Sequence, residues 1–175
     1  DIIIPRSARV STNFGNQSMP AFIEETGFRQ VILNLVINAR DAIERTGKIQ
    51  ISLQKVAKGQ SIMKGAKGKK RFAPVDGAEL SLTDNGKGIP GEIQEKLFDP
   101  FFTTKSSDTG SGFGLYNTRV FIEDHNGLIG FSSEVGKGTT FFLFLPLETE
   151  EEENPVRHLK KTKRATRAFI KTKKN

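Results

Sequence analysis

The 175-residue sequence has no cysteine, no tryptophan and a single tyrosine. Without cysteine there are no disulfides, thiolate nucleophiles or cysteine-ligated zinc, and the chain suits a reducing, cytoplasmic compartment. Long apolar runs are missing as well. The longest, Phe141 to Leu147, is interrupted by Pro146, whereas a membrane-spanning helix needs about 20 apolar residues. Residues 1–20 show no signal-peptide layout of basic start, apolar middle and small-residue cleavage site. There is no internal repeat. What remains is a globular balance of 35% hydrophobic and 27% charged residues, enough for one core-forming domain and hardly two.

The net charge of +7 suggests an anionic partner until it is placed along the chain. Residues 148–175 contribute +4 and residues 57–78 contribute +5, which leaves −2 for everything else. The basicity belongs to two appendages around a nearly neutral body. No aromatic residues alternate with the basic ones to stack on bases, so nucleic acid is not an expected partner.

Helical and strand periods organise the rest. Residues 1–8 read as the end of an upstream linker. Arg9–Phe14 reads as a strand, and Thr26 as the cap of a helix running to Arg45. Its apolar face carries Phe28, Val31, Ile32, Leu35, Val36, Ala39, Ala42 and Ile43. Gly47 closes that helix. Lys48–Val56 and Glu79–Thr83 read as strands, separated by a Gly- and Lys-rich span, 57–78, expected to be a mobile basic loop. A short helix over Pro90–Leu97 is followed by an aromatic and polar stretch, and then by a helix over Leu115–Asn126. Leu128–Ser133 and Thr139–Pro146 alternate around a turn with Gly136 and Gly138, the mark of a hairpin. Two helices against about four strands predict a two-layer α/β sandwich. Residues 148–175 read as a charged tail.

Three motifs carry chemistry. Asn34, Asn38, Asp41 and Arg45 share a second stripe of the first helix, roughly 130° from the apolar one at 100° per residue. Their amides and carboxylate are hard oxygen donors suited to Mg²⁺, or simply a solvated face. Asp84-Asn85-Gly86-Lys87-Gly88 follows a strand end, where a buried carboxylate could accept from an exocyclic amine and glycines let a ligand approach. An ordinary tight turn is the plainer reading. Gly110-Ser111-Gly112-Phe113-Gly114-Leu115 runs into a helix start, where free N–H groups attract phosphate. It is equally open to reading as a flexible linker. Neither the dinucleotide fingerprint nor the P-loop pattern is present.

Order and spacing decide between these readings. The series Asn34–Ala42 (N box), Asp84–Ile89 (G1 box), Leu97–Lys105 (F box), Gly110–Leu115 (G2 box) and Gly136–Phe141 resembles the ATP-binding domain of sensor histidine kinases. That domain belongs to the GHKL (Bergerat) superfamily shared with gyrase, Hsp90 and MutL. The resemblance covers residues 9–147. Asn-Ala-Arg-Asp-Ala with Phe-Phe-Thr-Thr-Lys looks like the nitrogen-regulator type of kinase.

The resemblance implies an α+β fold with a mixed, mostly antiparallel sheet and helices on one face. It implies ATP and Mg²⁺ as cofactors. Asn38 would coordinate the metal, with Asn34 assisting, and both would be catalytic. Asp84 would bind the adenine amino group, with Gly86, Gly88 and Ile89 lining the base pocket. Phe98 and Lys105 would belong to a lid over 98–111, and Gly110, Gly112, Gly114 and Leu115 would bracket the phosphates. Thr139 or Thr140 would close the far wall. Asp41 stands where some relatives place a phosphate-contacting lysine, so its role stays open. The reaction implied is γ-phosphoryl transfer to a histidine on a separate dimerisation domain upstream, then to a response-regulator aspartate. Neither His125, at a helix end, nor His158, in the tail, fits the acceptor. The alternatives are a regulatory nucleotide-binding module without phosphotransfer, and a superfamily ATPase that the F box disfavours.

Overall fold

The computed structural model describes residues 8–148 apart from Gln17, Arg45, residues 67–70 and residues 106–111. The expected linker over 1–8 and tail over 148–175 thus lie almost wholly outside the described residues. Along the chain come β1 (Ala8–Asn13), α1 (Glu25–Ala42), β2 (Gly47–Val56), β3 (Ser61–Ile62), β4 (Arg71–Phe72) and β5 (Gly77–Asp84). A 3₁₀ turn (Gly91–Lys96), α2 (Gly114–Asp124), β6 (Leu128–Glu134) and β7 (Gly138–Pro146) follow. The main sheet has the order β1-β2-β5-β7-β6, with β1 parallel to β2 and every other pair antiparallel. Its five strands fall on the five segments read as strands, one more than the rough count of four, and it is mixed and mostly antiparallel as the resemblance implies.

Side chains alternate across β5 and β7, as strand geometry requires. Leu80, Leu82, Phe141, Leu143 and Leu145 join Val31, Leu35, Val36, Ala39 and Ile122 in one buried cluster under the two helices. The apolar stripe read from the sequence is therefore the buried face of α1, with Phe28, Ile32 and Ile43 packed at its margin.

The start of α1 departs from expectation. The cap is Glu24, not Thr26: its carboxylate accepts from the N–H groups of Thr26 (2.7 Å) and Gly27 (2.5 Å). A carboxylate at a helix N-terminus satisfies two orphan donors and also meets the positive end of the helix dipole. The helix ends at Ala42, capped by Ile43, so it does not reach Arg45, which lies outside the described residues.

The span 57–78 also differs from a plain loop. Ser61–Ile62 pairs with Arg71–Phe72 as a small antiparallel ribbon, and Ile62, Met63 and Ala73 are buried with Val56, Phe142 and Phe144. Buried Glu79 fastens the ribbon from the sheet, its Oε2 accepting the Met63 N–H and its Oε1 accepting from Gln54. Three apolar residues scattered among glycines and lysines leave no period, yet they bury Val56, Phe142 and Phe144 on the second face of the sheet. Among the described residues no helix is long and apolar enough to cross a membrane.

A candidate nucleotide site between the helices and the sheet

A cleft of about 690 Å³ opens beside α1, between the end of β5, the β6–β7 hairpin, the segment 102–105 and the start of α2. The second stripe of α1 faces it: Asn34, Asn38 and Asp41 all line the cleft. With the neighbouring stripe of α1 buried in the core, these polar side chains fall on its cleft side.

Asp84 closes one end. It is 3% exposed, and its Oδ1 accepts the Gly86 N–H at 2.8 Å. Burial pushes its carboxyl above the usual carboxylate range, and the backbone amides of Gly86 and Thr139 pull back only part of that shift. Beside it, Ser133 Oγ accepts the Ile89 N–H at 2.8 Å and lies 2.8 Å from Thr139 Oγ1. Gln94 Nε2 donates to the Ile89 carbonyl at 2.6 Å. These bonds tie the turn after β5 to the hairpin, which fixes Gly88 and Ile89 along the wall. Ser133 and Gln94 were not foreseen, because neither residue type carries a sequence signal for such a role.

At the other end, Lys105 Nζ lies 3.2 Å from Asn38 Oδ1 and 2.5 Å from Asp41 Oδ2. Burial raises the Asp41 carboxyl, but hydrogen bonds from Lys105 and Arg40 outweigh it and hold the group below its ordinary value. Asn34 donates to the Gly114 carbonyl at 3.2 Å and accepts from Gln30 at 2.9 Å, so it braces α1 against α2. No acidic residue occupies the first turn of α2, and Gly112, Gly114 and Leu115 line the cleft at its start. The amide N–H groups of a helix start attract an anion.

Several expected residues stand elsewhere. Thr140 is on the opposite face of the sheet, its Oγ1 3.0 Å from Thr83 Oγ1, because β7 alternates and Thr139 takes the cleft side. Phe98 packs edge-on against Phe131 with ring centroids 5.9 Å apart and anchors in the core, while Phe102 lines the cleft in its place. Gly86 does not line the cleft. A Cβ there would fall 2.5 Å from the Ala42 carbonyl oxygen, so this glycine lets the turn pass under the end of α1. Gly110 lies outside the described residues. Thr103 and Thr104, from the expected lid, line the cleft as well, and so do Lys87, Ile93 and Val135, which the sequence does not single out. His125 caps α2: its Nδ1 lies 2.8 Å from the Phe121 carbonyl and its Nε2 accepts the Glu24 N–H at 3.3 Å. That is a structural tie at the N-terminal end of α1.

The family model for histidine kinase-, DNA gyrase B- and HSP90-like ATPases matches residues 23–149, which include the whole cleft. The chain belongs to this family. It is 36% identical to the sensor kinase CckA of Brucella abortus over 151 residues, 86% of this chain and 16% of that protein. The solved catalytic domain of histidine kinase ThkA matches with a TM-score of 0.63 and 30% identity, covering 81% of this chain and 80% of that one. ThkA in complex with the response regulator protein TrrA matches with a TM-score of 0.58 and 27% identity, covering 81% of this chain and 34% of that one. The domain is thus an ATP-binding catalytic domain of the histidine-kinase kind. It spans less than a quarter of the length of the curated relatives it matches.

The donors in the cleft suit a divalent ion that arrives with its nucleotide. Among the described residues no cluster of His, Cys, Asp or Glu could hold a metal alone. The Asn38 amide oxygen, however, already accepts from one cation, the Lys105 ammonium. An amide oxygen completed by phosphate oxygens and water fits Mg²⁺.

Proposed function

We propose that the cleft binds Mg·ATP with adenine against Asp84 and the phosphates toward Asn38, Lys105 and the start of α2. The observation that supports this most is the polarity of the cleft. One end offers a buried carboxylate between apolar walls, and the other gathers amides, an ammonium and a helix start. Asp84 accepts from the adenine 6-amino group, where guanine would present a carbonyl. Gly88, Ile89 and Thr139 border the base. Gly112, Gly114 and Leu115, with Gly110, bracket the phosphates. Asn38 and Asn34 hold Mg²⁺, which when bound neutralises phosphate charge.

The reaction is γ-phosphoryl transfer to a histidine on a separate dimerisation domain of the longer protein, and from there to an aspartate of a response regulator. A site of amides, cations and backbone N–H groups, with no strong base, suits a reaction that depends on positioning and charge neutralisation. The ThkA complex with a response regulator supports that partner class. Within the histidine kinases, Asn38-Ala-Arg-Asp41-Ala and Phe101-Phe-Thr-Thr-Lys105 favour the nitrogen-regulator type. The domain proper runs over 9–147, with the lid over 98–111.

Mixing this chain with the dimerisation domain and γ-labelled ATP tests the proposal. Acid-labile label on a histidine of the added domain is the expected result. Label that stays with nucleotide, or is released only as inorganic phosphate, would overturn it.

A further inference from the structure

The contact between Lys105 and α1 joins residues 64 positions apart in the chain. It is the charged link among the described residues between the 102–105 segment and the helix that carries Asn38 and Asp41. Both side chains are about 30% exposed. The Asp41 carboxylate is shared, with Oδ1 taking Arg40 Nε at 2.8 Å and Oδ2 taking Lys105. Thr103 Oγ1 accepts the Lys105 N–H at 3.1 Å, which shapes the turn that delivers the lysine.

One ammonium therefore satisfies both the Asn38 amide oxygen and the Asp41 carboxylate. A second cation at Asn38, arriving with phosphate, would stand against that ammonium. The phosphate itself would compete with Asp41 for it. Only a nucleotide whose phosphate chain reaches this end of the cleft can enter that competition.

We infer that Asp41 and Lys105 form a latch, in which α1 holds the 102–105 segment against the Asn38 end of the cleft until a nucleoside triphosphate takes the lysine away. The inference rests on the nucleotide reading above and assigns Asp41 a role as a positioning residue acting through Lys105. It accounts for an acidic residue at the phosphate end of an anion site, which direct contact with phosphate does not. The latch weakens triphosphate binding by the part of the Asp41–Lys105 interaction that is lost on binding. It leaves a monophosphate nearly untouched.

A double-substitution cycle separates the latch from the mere negative charge of Asp41. ATP and AMP are titrated by calorimetry into the wild type, Asp41→Asn, Lys105→Met and the double variant. Asp41→Asn should tighten ATP about three-fold more when Lys105 is present than when it is Met, with no such difference for AMP. An equal or smaller gain with Lys105 present would overturn the latch. The free protein gives a second readout, independent of nucleotide. Amide hydrogen exchange at Thr103–Lys105 should speed up at least three-fold in Asp41→Asn, and unchanged exchange would overturn the latch too. Failure of the wild type to bind ATP counts against the nucleotide reading, and exchange then decides the latch alone.

Discussion

Gly138 stands so close to Asp84 that a Cβ on it would lie 2.1 Å from the Asp84 carbonyl oxygen. Its φ of +112° is itself closed to most side chains. The first residue of β7 and the last of β5 thus meet at the floor of the cleft, and the glycine sets where the Asp84 carboxylate sits. Gly138→Ala should cost about 1–3 kcal/mol from the backbone conformation alone, before any displacement of the strand. Thermal unfolding should show the loss, and ATP affinity should fall with it. A variant as stable as the wild type would refute this account of the turn.

Asp84 should give an inverse pH signature. Burial raises its carboxyl in the folded state, so the folded protein holds the proton more tightly than the unfolded chain does. Its charge therefore costs stability as pH rises from the ordinary carboxylate value, about 3.9, through the raised one. Asp84→Asn keeps an acceptor for the Gly86 N–H and removes the buried charge. Its unfolding midpoint should exceed that of the wild type at neutral pH, with the gap closing below about pH 4. A variant less stable at neutral pH would count against burial as the dominant influence.

The cap of α1 gives a contrast within three residues. Glu24→Ala should lower the unfolding midpoint more than Thr26→Ala, since Glu24 accepts two helix N–H groups. Those hydrogen bonds depress the Glu24 carboxyl. Its contribution is therefore present above the unfolded-state value and fades as pH falls through the depressed one. Midpoints measured down the acid limb check this, and equal effects of the two substitutions would restore Thr26 as the cap.

The ribbon of β3 and β4 should be separable from the site. Glu79→Ala leaves the buried Met63 N–H without its acceptor, a loss of about 1–3 kcal/mol. Because Glu79 faces away from the cleft, ATP affinity at a temperature where the variant is folded should stay within about two-fold of wild type. A ten-fold loss, about 1.4 kcal/mol, would show that the two faces of the sheet are coupled.

The sequence announces the parts of this domain that have a period or a fixed spacing. The apolar stripe of α1, the alternation in β6 and β7, and the Asn34–Asn38–Asp41 stripe all follow from helix and strand geometry, and the structure places them as read. Residues that matter through a single contact leave no such trace. Thr139 and Thr140 are adjacent and identical in type, and only the register of β7 against β5 decides which one enters the cleft. Phe98 and Phe102 sit in the same aromatic stretch, and the 3₁₀ turn before them sends the first into the core. Ser133 and Gln94 act through hydrogen bonds spanning 44 and 5 residues, which no local pattern encodes. The ribbon was missed because Ile62, Met63 and Ala73 are diluted among glycines and lysines.

The most direct test of the central claim is a pair of calorimetric titrations, ATP and GTP into the folded chain, each with and without Mg²⁺ and each repeated on Asp84→Ala. The account predicts Mg²⁺-dependent binding of ATP at micromolar to millimolar strength, no measurable binding of GTP, and loss of ATP binding in the variant. Equal binding of ATP and GTP, or ATP binding untouched by Asp84→Ala, would contradict it.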